Sequence, residues 1–146
     1  PEAISEIETM LNINPKNEQS WIQLIQLHYS EKKLEQVVEI TKRAAIELPE
    51  TSQWYYYRAI SEFQLERYPE TIEACKSGIN ILKQTENSLK SDFHSLMGDC
   101  WFKLGEKDSA FAQYENSLKL NPQNVVVLNN YAYYLSLDKK DLKKAP

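Results

Sequence analysis

Two aspartates on one predicted helix have the residue type and spacing for acid–base chemistry. Asp92 and Asp99 lie seven residues apart, which is about two helical turns, so their side chains share one face. Paired carboxylates act as general acid and base only when a closed pocket raises the pKa of one of them. Nothing around this pair in the sequence indicates such a pocket. We therefore favour a solvated or groove-lining role for both residues.

The histidines and cysteines do not combine into a second chemical motif. His28, His94, Cys75 and Cys100 are the only residues of these types, and all fall in predicted helices. They form no HxxxH or CxxC motif, which predicts no metal site. We interpret the histidines as packed residues on the buried face of a helix and the cysteines as structural thiols, with a mutual disulfide as the alternative. The sequence also lacks a glycine-rich phosphate loop and a nucleophile elbow, so it predicts no enzyme and no cofactor.

Composition narrows the class of protein and of partner. The 146 residues are 42% hydrophobic and 26% charged, as in one folded domain, and three glycines argue against a turn-rich β fold. The net charge is −4 with lysines and acids interspersed, so no nucleic acid partner is expected. No apolar run approaches the ~20 residues of a membrane span. The start at Pro1 leaves the compartment open between cytoplasm and bacterial periplasm.

A recurring phrase indicates how the predicted helices are organised. Asn14-Pro15-Lys16-Asn17 returns 107 residues later as Asn121-Pro122-Gln123-Asn124, which is three steps of 34 plus five. Pro49 lies one such step after Pro15. A fixed period of this length is typical of stacked supersecondary units. The question of function therefore becomes what a helical repeat array binds.

Each period contains two helices. An apolar stripe begins at Trp21 with helical spacing, and Asn17 before it is a suitable N-cap. A second stripe begins at Val37 and ends at Pro49, because proline cannot continue a helix. When the sequence is shifted by its period, small residues coincide, and they allow the two backbones to approach closely. They are Ala59, Gly98 and Ala132 on first helices, and Ala44, Gly78 and Ser117 on second helices.

This pattern resembles the tetratricopeptide repeat family. The third repeat matches the family pattern at the most positions: His94, Met97, Gly98, Trp101, Leu104, Gly105, Ala110, Tyr114 and Pro122. The first repeat matches it at Trp21, Leu24, Ala44 and Pro49. The fourth repeat matches it over residues 128–135. The resemblance implies an all-α, right-handed superhelical solenoid of antiparallel helix pairs, with about three full repeats and a half repeat at each end. We expect one domain over residues 1–146: a preceding second helix at 2–14, repeats at 18–51, 52–90 and 91–124, and a partial repeat at 125–146.

The second repeat departs from the family pattern. Arg58 and Glu62 occupy positions that are usually large and apolar, and they lie four residues apart. Either they form a partly buried ion pair, or the register shifts so that Trp54 and Tyr57 face inward. Lys83 replaces the family proline, so the second helix of this repeat is allowed to run longer. An insertion near 85–90 then forms a wider turn.

The resemblance also implies a concave groove, lined by first helices, that binds a peptide or a partner helix. The phasing assigns Tyr55 to the core, Tyr56 to the groove, and Trp54 and Tyr57 to contacts with neighbouring helices. Because the groove mixes aromatic rings with amides and acids, we expect an apolar-anchored ligand that is neutral or basic near the third repeat. The expected groove residues are Gln19, Ile22, Gln26, Tyr29, Gln53, Tyr56, Ile60, Phe63, Asp92, Ser95, Asp99, Phe102, Val126, Asn129 and Tyr133.

The two ends lack the polar caps that repeat arrays need. We expect them to expose apolar surface, and the chain to be part of a longer array that packs end to end. A protein–protein interaction scaffold without catalysis is the function we expect. A structural spacer or self-association module of a larger bacterial protein is the alternative.

Overall fold

The computed structural model describes residues 2–83 and 85–144, and within these ranges it contains helices and no strand. The chain forms two compact units, residues 1–82 and 83–146, which we call the N-terminal and C-terminal units. The all-α prediction is confirmed. The N-terminal unit holds α1 (Glu2–Ile13), α2 (Glu18–Ser30), α3 (Leu34–Glu47), α4 (Ser52–Gln64) and α5 (Tyr68–Ile81); the C-terminal unit holds α6 (Asn87–Lys103), α7 (Lys107–Leu120) and α8 (Val125–Lys144).

The recurring phrase forms the same structure twice. In each copy the first asparagine, Asn14 or Asn121, accepts a hydrogen bond from the backbone N–H two residues on, at 3.2 and 3.3 Å. The last asparagine, Asn17 or Asn124, accepts one from the N–H three residues on, at 3.1 and 3.3 Å. The phrase is therefore a turn followed by an N-cap, which starts α2 and α8.

The turns inside the three helix pairs share one backbone geometry although their residues differ. Lys32, Glu66 and Gly105 have φ values of 59°, 60° and 83°. In each turn the following N–H donates to the carbonyl five residues earlier, at 2.8 to 3.0 Å. This is the Schellman ending of a helix, for which glycine is the usual residue. Only the third turn has glycine, so the other two hold a side chain in the left-handed region.

Two tryptophans fix the core of the N-terminal unit. Trp21 and Trp54 are buried with Leu24, Ile25 and neighbouring aliphatic residues of α1 and α3. The indole N–H of Trp21 donates to the carbonyl of Pro15 at 2.7 Å, and that of Trp54 donates to the carbonyl of Leu48 at 3.0 Å. Each indole thus ties the start of one helix pair to the segment that precedes it.

The second repeat combines the two alternatives left open by the sequence. Arg58 Nε donates to Glu62 Oε1 at 3.0 Å, and the Glu62 side chain is 2% exposed. Burial raises the pKa of Glu62, and the nearby Arg58 opposes that rise. Trp54 also faces inward and is 1% exposed. The assignment of Tyr55 to the core is wrong: Tyr55 is half-exposed and its hydroxyl donates to the carbonyl of Pro49 at 3.3 Å.

The extra residues after the second repeat lengthen the next helix instead of the previous one. The sequence allowed a longer second helix followed by a turn over 85–90. However, α5 ends at Ile81 and has 14 residues, the same length as α3 and α7. Helix α6 begins at Asn87 and has 17 residues. The missing proline at Lys83 therefore did not extend α5, and residues 87–90 form the first turn of α6.

The partial repeat at the end of the chain is one helix over its described length. Two helices per repeat would place the start of a second helix near the end of residues 125–146, but α8 runs without a break from Val125 to Lys144. Residues 145 and 146 lie outside the described residues. Large apolar side chains are exposed along α8 and near the end of α1, in agreement with the expected lack of polar caps. They are Met10, Ile13, Val125, Val126, Leu128, Tyr133 and Leu135.

Two helices of the third repeat pack closely at a glycine. Gly98 of α6 faces the ring of Tyr114 of α7, which is fully buried. A Cβ atom at position 98 would lie 2.6 Å from Tyr114 Cε1 and 2.8 Å from Cδ1. The small residue predicted here is therefore required by the aromatic ring opposite it. At the equivalent positions, the first repeat has Ile25 with Thr41 and the second has Ala59 with Cys75.

We expect Gly98→Ala to destabilise the protein by about 1–3 kcal/mol, because the added methyl overpacks the contact with Tyr114. Urea unfolding followed by circular dichroism measures the change. The double variant Gly98→Ala/Tyr114→Leu serves as the control, since the smaller side chain should recover part of the loss caused by the alanine. Full additivity of the two single substitutions would contradict this packing.

Candidate functional site

The expected groove residues fall into two strips, one in each compact unit. The strip of the N-terminal unit lies on α2 and α4. The amides Gln19, Gln26 and Gln53 are exposed there, and Ile22, Tyr29, Tyr56, Ile60 and Phe63 are half-buried. No residue of this strip is fully buried, so each has surface that a ligand can contact. We call this set the first strip.

Aromatic contacts hold the first strip to the helices below it. Tyr29 of α2 meets Tyr57 of α4 edge to face, with ring centroids 5.7 Å apart. Its hydroxyl accepts a hydrogen bond from Gln64 Nε2 at 2.8 Å. Phe63 packs edge to face against Tyr68 at the start of α5, at 5.5 Å. These contacts fix the orientations of Tyr29 and Phe63 while leaving them partly exposed.

The strip of the C-terminal unit, the second strip, lies on α6 and α8 and is less uniform. Asp92, Asn129 and Tyr133 are exposed, and Tyr133 is 55% exposed. Asp99 and Phe102 are half-buried. Ser95 is only 6% exposed, so it offers almost no surface to a ligand.

Stacked aromatic rings form one end of the second strip. Phe102 of α6 stacks on Tyr134 of α8 with ring centroids 3.8 Å apart. Tyr134 meets Tyr133 edge to face at 5.6 Å, and Phe102 also packs against Phe111 of α7 at 6.5 Å. We call Phe102, Tyr133 and Tyr134 the aromatic ledge. Tyr134 was not among the expected groove residues, because α8 carries tyrosines at three of four consecutive positions and its phase was set by a short match.

Asp99 is held by two uncharged donors. Its Oδ1 accepts hydrogen bonds from the Tyr114 hydroxyl and from Asn130 Nδ2, the latter at 3.4 Å. Burial raises the pKa of the Asp99 carboxyl, and these hydrogen bonds oppose the rise. Burial, together with the adjacent Asp99, also raises the pKa of Tyr114 far above its ordinary value. Tyr114 therefore stays protonated and remains a donor to Asp99.

Asp92 is exposed and adjoins a buried polar network that joins three helices. Its Oδ1 accepts from Asn124 Nδ2 at 3.1 Å, and burial raises the pKa of its carboxyl. The same amide donates to Ser91 Oγ at 3.0 Å, and Ser91 and Ser117 exchange hydrogen bonds of 2.7 to 2.8 Å. Asn124 thus caps α8, joins it to α6, and fixes the carboxylate of Asp92. The recurring phrase indicated the cap, but nothing in the sequence indicated its contact with Asp92.

The structure gives the histidines and cysteines packing roles. His28 Nδ1 lies 3.0 Å from the carbonyl of Leu24, and His94 Nδ1 lies 2.7 Å from Gln113 Oε1. Both histidines are half-buried, not buried as expected. Cys75 and Cys100 are both buried, as expected of structural thiols. The described residues contain no group of three or more His, Cys, Asp or Glu side chains that would hold a metal ion.

Two clefts in the N-terminal unit lie beside or outside the first strip. One of about 470 Å³ borders Gln26 and is lined by Ile7, Gln23, Leu27 and Ser30. The other, of about 430 Å³, is lined by residues of α1, α2 and α3 that include Glu8, His28, Glu35 and Ile40. No sequence motif marks either cleft, and the repeat pattern assigns α1 only to an end of the array. Among the described helices, none is long and apolar enough to cross a bilayer.

Comparison with known proteins confirms the family resemblance. A family model for the tetratricopeptide repeat matches residues 91–124, the range that the sequence assigned to the third repeat. The TPR repeat-containing protein MJ1428 of Methanocaldococcus jannaschii is 30% identical over 80 residues, which are 55% of this chain and 12% of that protein. The BBSome complex member bbs-4 of Caenorhabditis elegans is 30% identical over 95 residues, 64% of this chain and 21% of that protein. The chain thus spans a small part of either relative.

Solved structures confirm the predicted fold class. MamA superimposes with a TM-score of 0.73 at 18% identity, over 85% of this chain and 70% of that one. YrrB, described as a TPR protein with an unusual peptide-binding site, superimposes with a TM-score of 0.66 at 16% identity, over 83% of this chain and 60% of that one. At these identities the likeness concerns the fold. The expected TPR-like superhelical class of helix pairs is therefore correct.

We expect Asp99→Asn to stabilise the protein at neutral pH. A raised folded-state pKa means that the folded state binds the proton more tightly, so the contribution of Asp99 to stability is lost as the pH rises through that pKa. Asparagine keeps an oxygen for Tyr114 and removes the charge. Urea midpoints of both proteins between pH 3 and 8 test this: the advantage of the variant should shrink towards acid pH. A variant that is less stable than the parent at neutral pH would contradict it.

Proposed function

The chain carries a tetratricopeptide repeat within a tetratricopeptide-repeat fold, and we propose that it is a protein–protein interaction scaffold. In this proposal the two strips bind a peptide or a partner helix, and the chain catalyses no reaction. The observation that supports it most directly is that the strips keep aromatic side chains at the surface, held in fixed orientations. Tyr29, Phe63 and Phe102 are each half-buried and packed against another ring.

The chemistry of the first strip suits a chain in an extended or helical conformation. Aromatic rings supply a large contact area and lose little conformational entropy on binding. The amides of Gln19, Gln26 and Gln53 both donate and accept hydrogen bonds, so they match the backbone groups of a ligand. A surface of this composition binds through apolar anchors and backbone hydrogen bonds, with little dependence on ligand charge.

A scaffold role without catalysis also agrees with how the two aspartates are held. Each has one oxygen held by neutral protein donors, and their pKa values are raised by partial burial. Tetratricopeptide repeats are generally non-catalytic, and YrrB is described as having a peptide-binding site. These points support the proposal that the pair recognises a partner.

Alanine at Tyr56 should weaken the binding of a first-strip ligand by about tenfold, the usual effect of losing one aromatic contact at an interface. Alanine at Tyr133 should have the same effect on a second-strip ligand. Peptides selected from a displayed library of random 12-residue sequences on the immobilised chain provide the ligands. Titration measured by fluorescence anisotropy provides the affinities. The circular dichroism melt should stay within a few degrees of the parent, because both side chains are partly exposed.

Ile46→Ala is the matched control for these variants, since Ile46 is 79% exposed on α3 and lies outside both strips. It should leave the affinity unchanged. Failure to select any peptide, or equal affinity for the strip variants and the parent, would overturn the assignment of the strips. Collapse of the melt in Tyr56→Ala would show that Tyr56 belongs to the core.

Self-association is a second candidate, favoured by the apolar surface of α8. Val125 and Val126 are 64% and 62% exposed, and Leu128 and Leu135 are also exposed. Monomeric proteins seldom leave contiguous apolar surface of this kind uncovered. In this proposal a second copy covers α8 by packing end to end.

We expect the molar mass from light scattering to rise with concentration, and Leu128→Lys/Leu135→Lys to keep the protein monomeric, because charged side chains resist burial. Lysine at the exposed positions Ser109 and Ala112 of α7 provides a control with the same added charge. A single monomeric mass from about 10 µM to 1 mM would contradict end-to-end packing.

A further inference from the structure

We propose that Asp99 binds a lysine or arginine side chain of the partner segment, with the aromatic ledge beside it. This inference rests on the proposed scaffold function and specifies the chemistry of its ligand. It concerns the second strip alone. The first strip has no acidic residue, so it does not share this selectivity.

The carboxylate of Asp99 forms no ion pair with the described residues. Its Oδ1 accepts from Tyr114 and Asn130, which are both neutral, and Oδ2 receives no hydrogen bond from the described residues. The positive charge of Lys103, one turn further along α6, lowers the pKa of Asp99, but burial acts more strongly in the opposite direction. The carboxylate is therefore oriented by neutral hydrogen-bond donors, and a cation at contact distance is not supplied by the described residues.

Partial burial makes this charge a selective binding feature. A carboxylate that has lost part of its hydration gains more from a cation than one that is fully in water, because the local dielectric is lower. The two neutral donors hold its oxygen in place before the ligand arrives. A positive side chain supplied by a partner complements the charge, whereas an acidic segment at the same place would be repelled.

The aromatic ledge suits the rest of a cationic side chain. Phe102 lies three residues after Asp99 and so shares its face of α6. The ring of Phe102 is stacked on Tyr134 at 3.8 Å, and Tyr133 beside it is 55% exposed. Lysine and arginine have long methylene stems that pack on apolar surface, and their charged groups are attracted to aromatic faces. The ledge and the carboxylate together therefore match one such side chain.

Asp92 adds an expectation about the spacing of positive residues in the ligand. It lies seven residues before Asp99 on α6, a distance of about 10 Å along the helix axis. Three residues of a polyproline II segment span about the same distance and return to the same side. A ligand with a second basic residue three positions from the first is thus able to reach both carboxylates.

The test is selection from the displayed 12-residue library on three immobilised proteins: the parent, Asp99→Asn and Asp108→Asn. Asp108→Asn removes the same charge from an exposed site in the first turn of α7, so it controls for net charge. Peptides selected by the parent and by Asp108→Asn should be enriched in lysine and arginine, with basic pairs three residues apart over-represented. Selection on Asp99→Asn should lose the enrichment.

Individual peptides then provide the affinities by fluorescence anisotropy. A selected basic peptide should bind Asp99→Asn about tenfold more weakly than the parent, as for loss of one partner of a partly buried charge pair. A variant of that peptide with its basic residue replaced by glutamine should bind both proteins equally. Asp92→Asn, at an exposed position, provides a second variant that retains the fold and should lose the preference for basic pairs.

The outcomes separate this inference from the proposed function. Peptides that bind through the strips without enrichment of basic residues would overturn the role of Asp99 and leave the scaffold proposal standing. Equal affinity of the basic peptide for the parent and Asp99→Asn would do the same. Selection of no peptide at all would overturn the scaffold proposal and this inference with it.

Discussion

The close approach of α6 and α7 at Gly98 is the constraint on which the C-terminal unit depends. Only a residue without a Cβ atom leaves room for the Tyr114 ring, which fills the space between the two helices. The ring brings its hydroxyl to Asp99, on the side of α6 that forms the second strip. A packing requirement in the core is thus joined by one side chain to the charge at the surface. A substitution that removes this ring therefore also removes a hydrogen bond from Asp99.

Most of the fold could be predicted from the sequence, because the same helix pair, with the same kinds of turn and cap, occurs several times along the chain. The phrase ending in Asn17 and again in Asn124 has one backbone structure, since turn and cap chemistry is set by the asparagine side chains themselves. The small residue at Gly98 was expected because it coincides with Ala59 and Ala132 when the sequence is shifted by its period, whereas the Tyr114 ring opposite it is known only from the structure. Turns, caps and small residues at repeated positions can be predicted from a sequence, because each depends on only a few residues.

The predictions that were wrong, and the contacts that were not predicted, also have specific physical causes. Tyr55 was placed in the core by counting from Trp21, but Trp54 forms the indole hydrogen bond there and fills the site. Counting by the period could not choose between two adjacent aromatic residues. The partners of the strip residues, such as Asn130 with Asp99, also escaped prediction, because they depend on how α8 lies on α6 and on no motif. Periodicity gives the phase of a helix, and contacts between helices decide which of its polar residues meet.

The indole hydrogen bonds of the N-terminal unit have a consequence for how its repeats unfold. Trp21 and Trp54 each donate to a carbonyl in the linker that enters their own helix, and each is buried in a core shared with α1 and α3. Separating one helix pair from its neighbour therefore breaks an internal hydrogen bond and uncovers an indole at the same step. In a linear array this raises the coupling energy between adjacent repeats relative to the stability of each alone. The segment from α1 to α4 should accordingly melt as one cooperative block, without partly frayed intermediates.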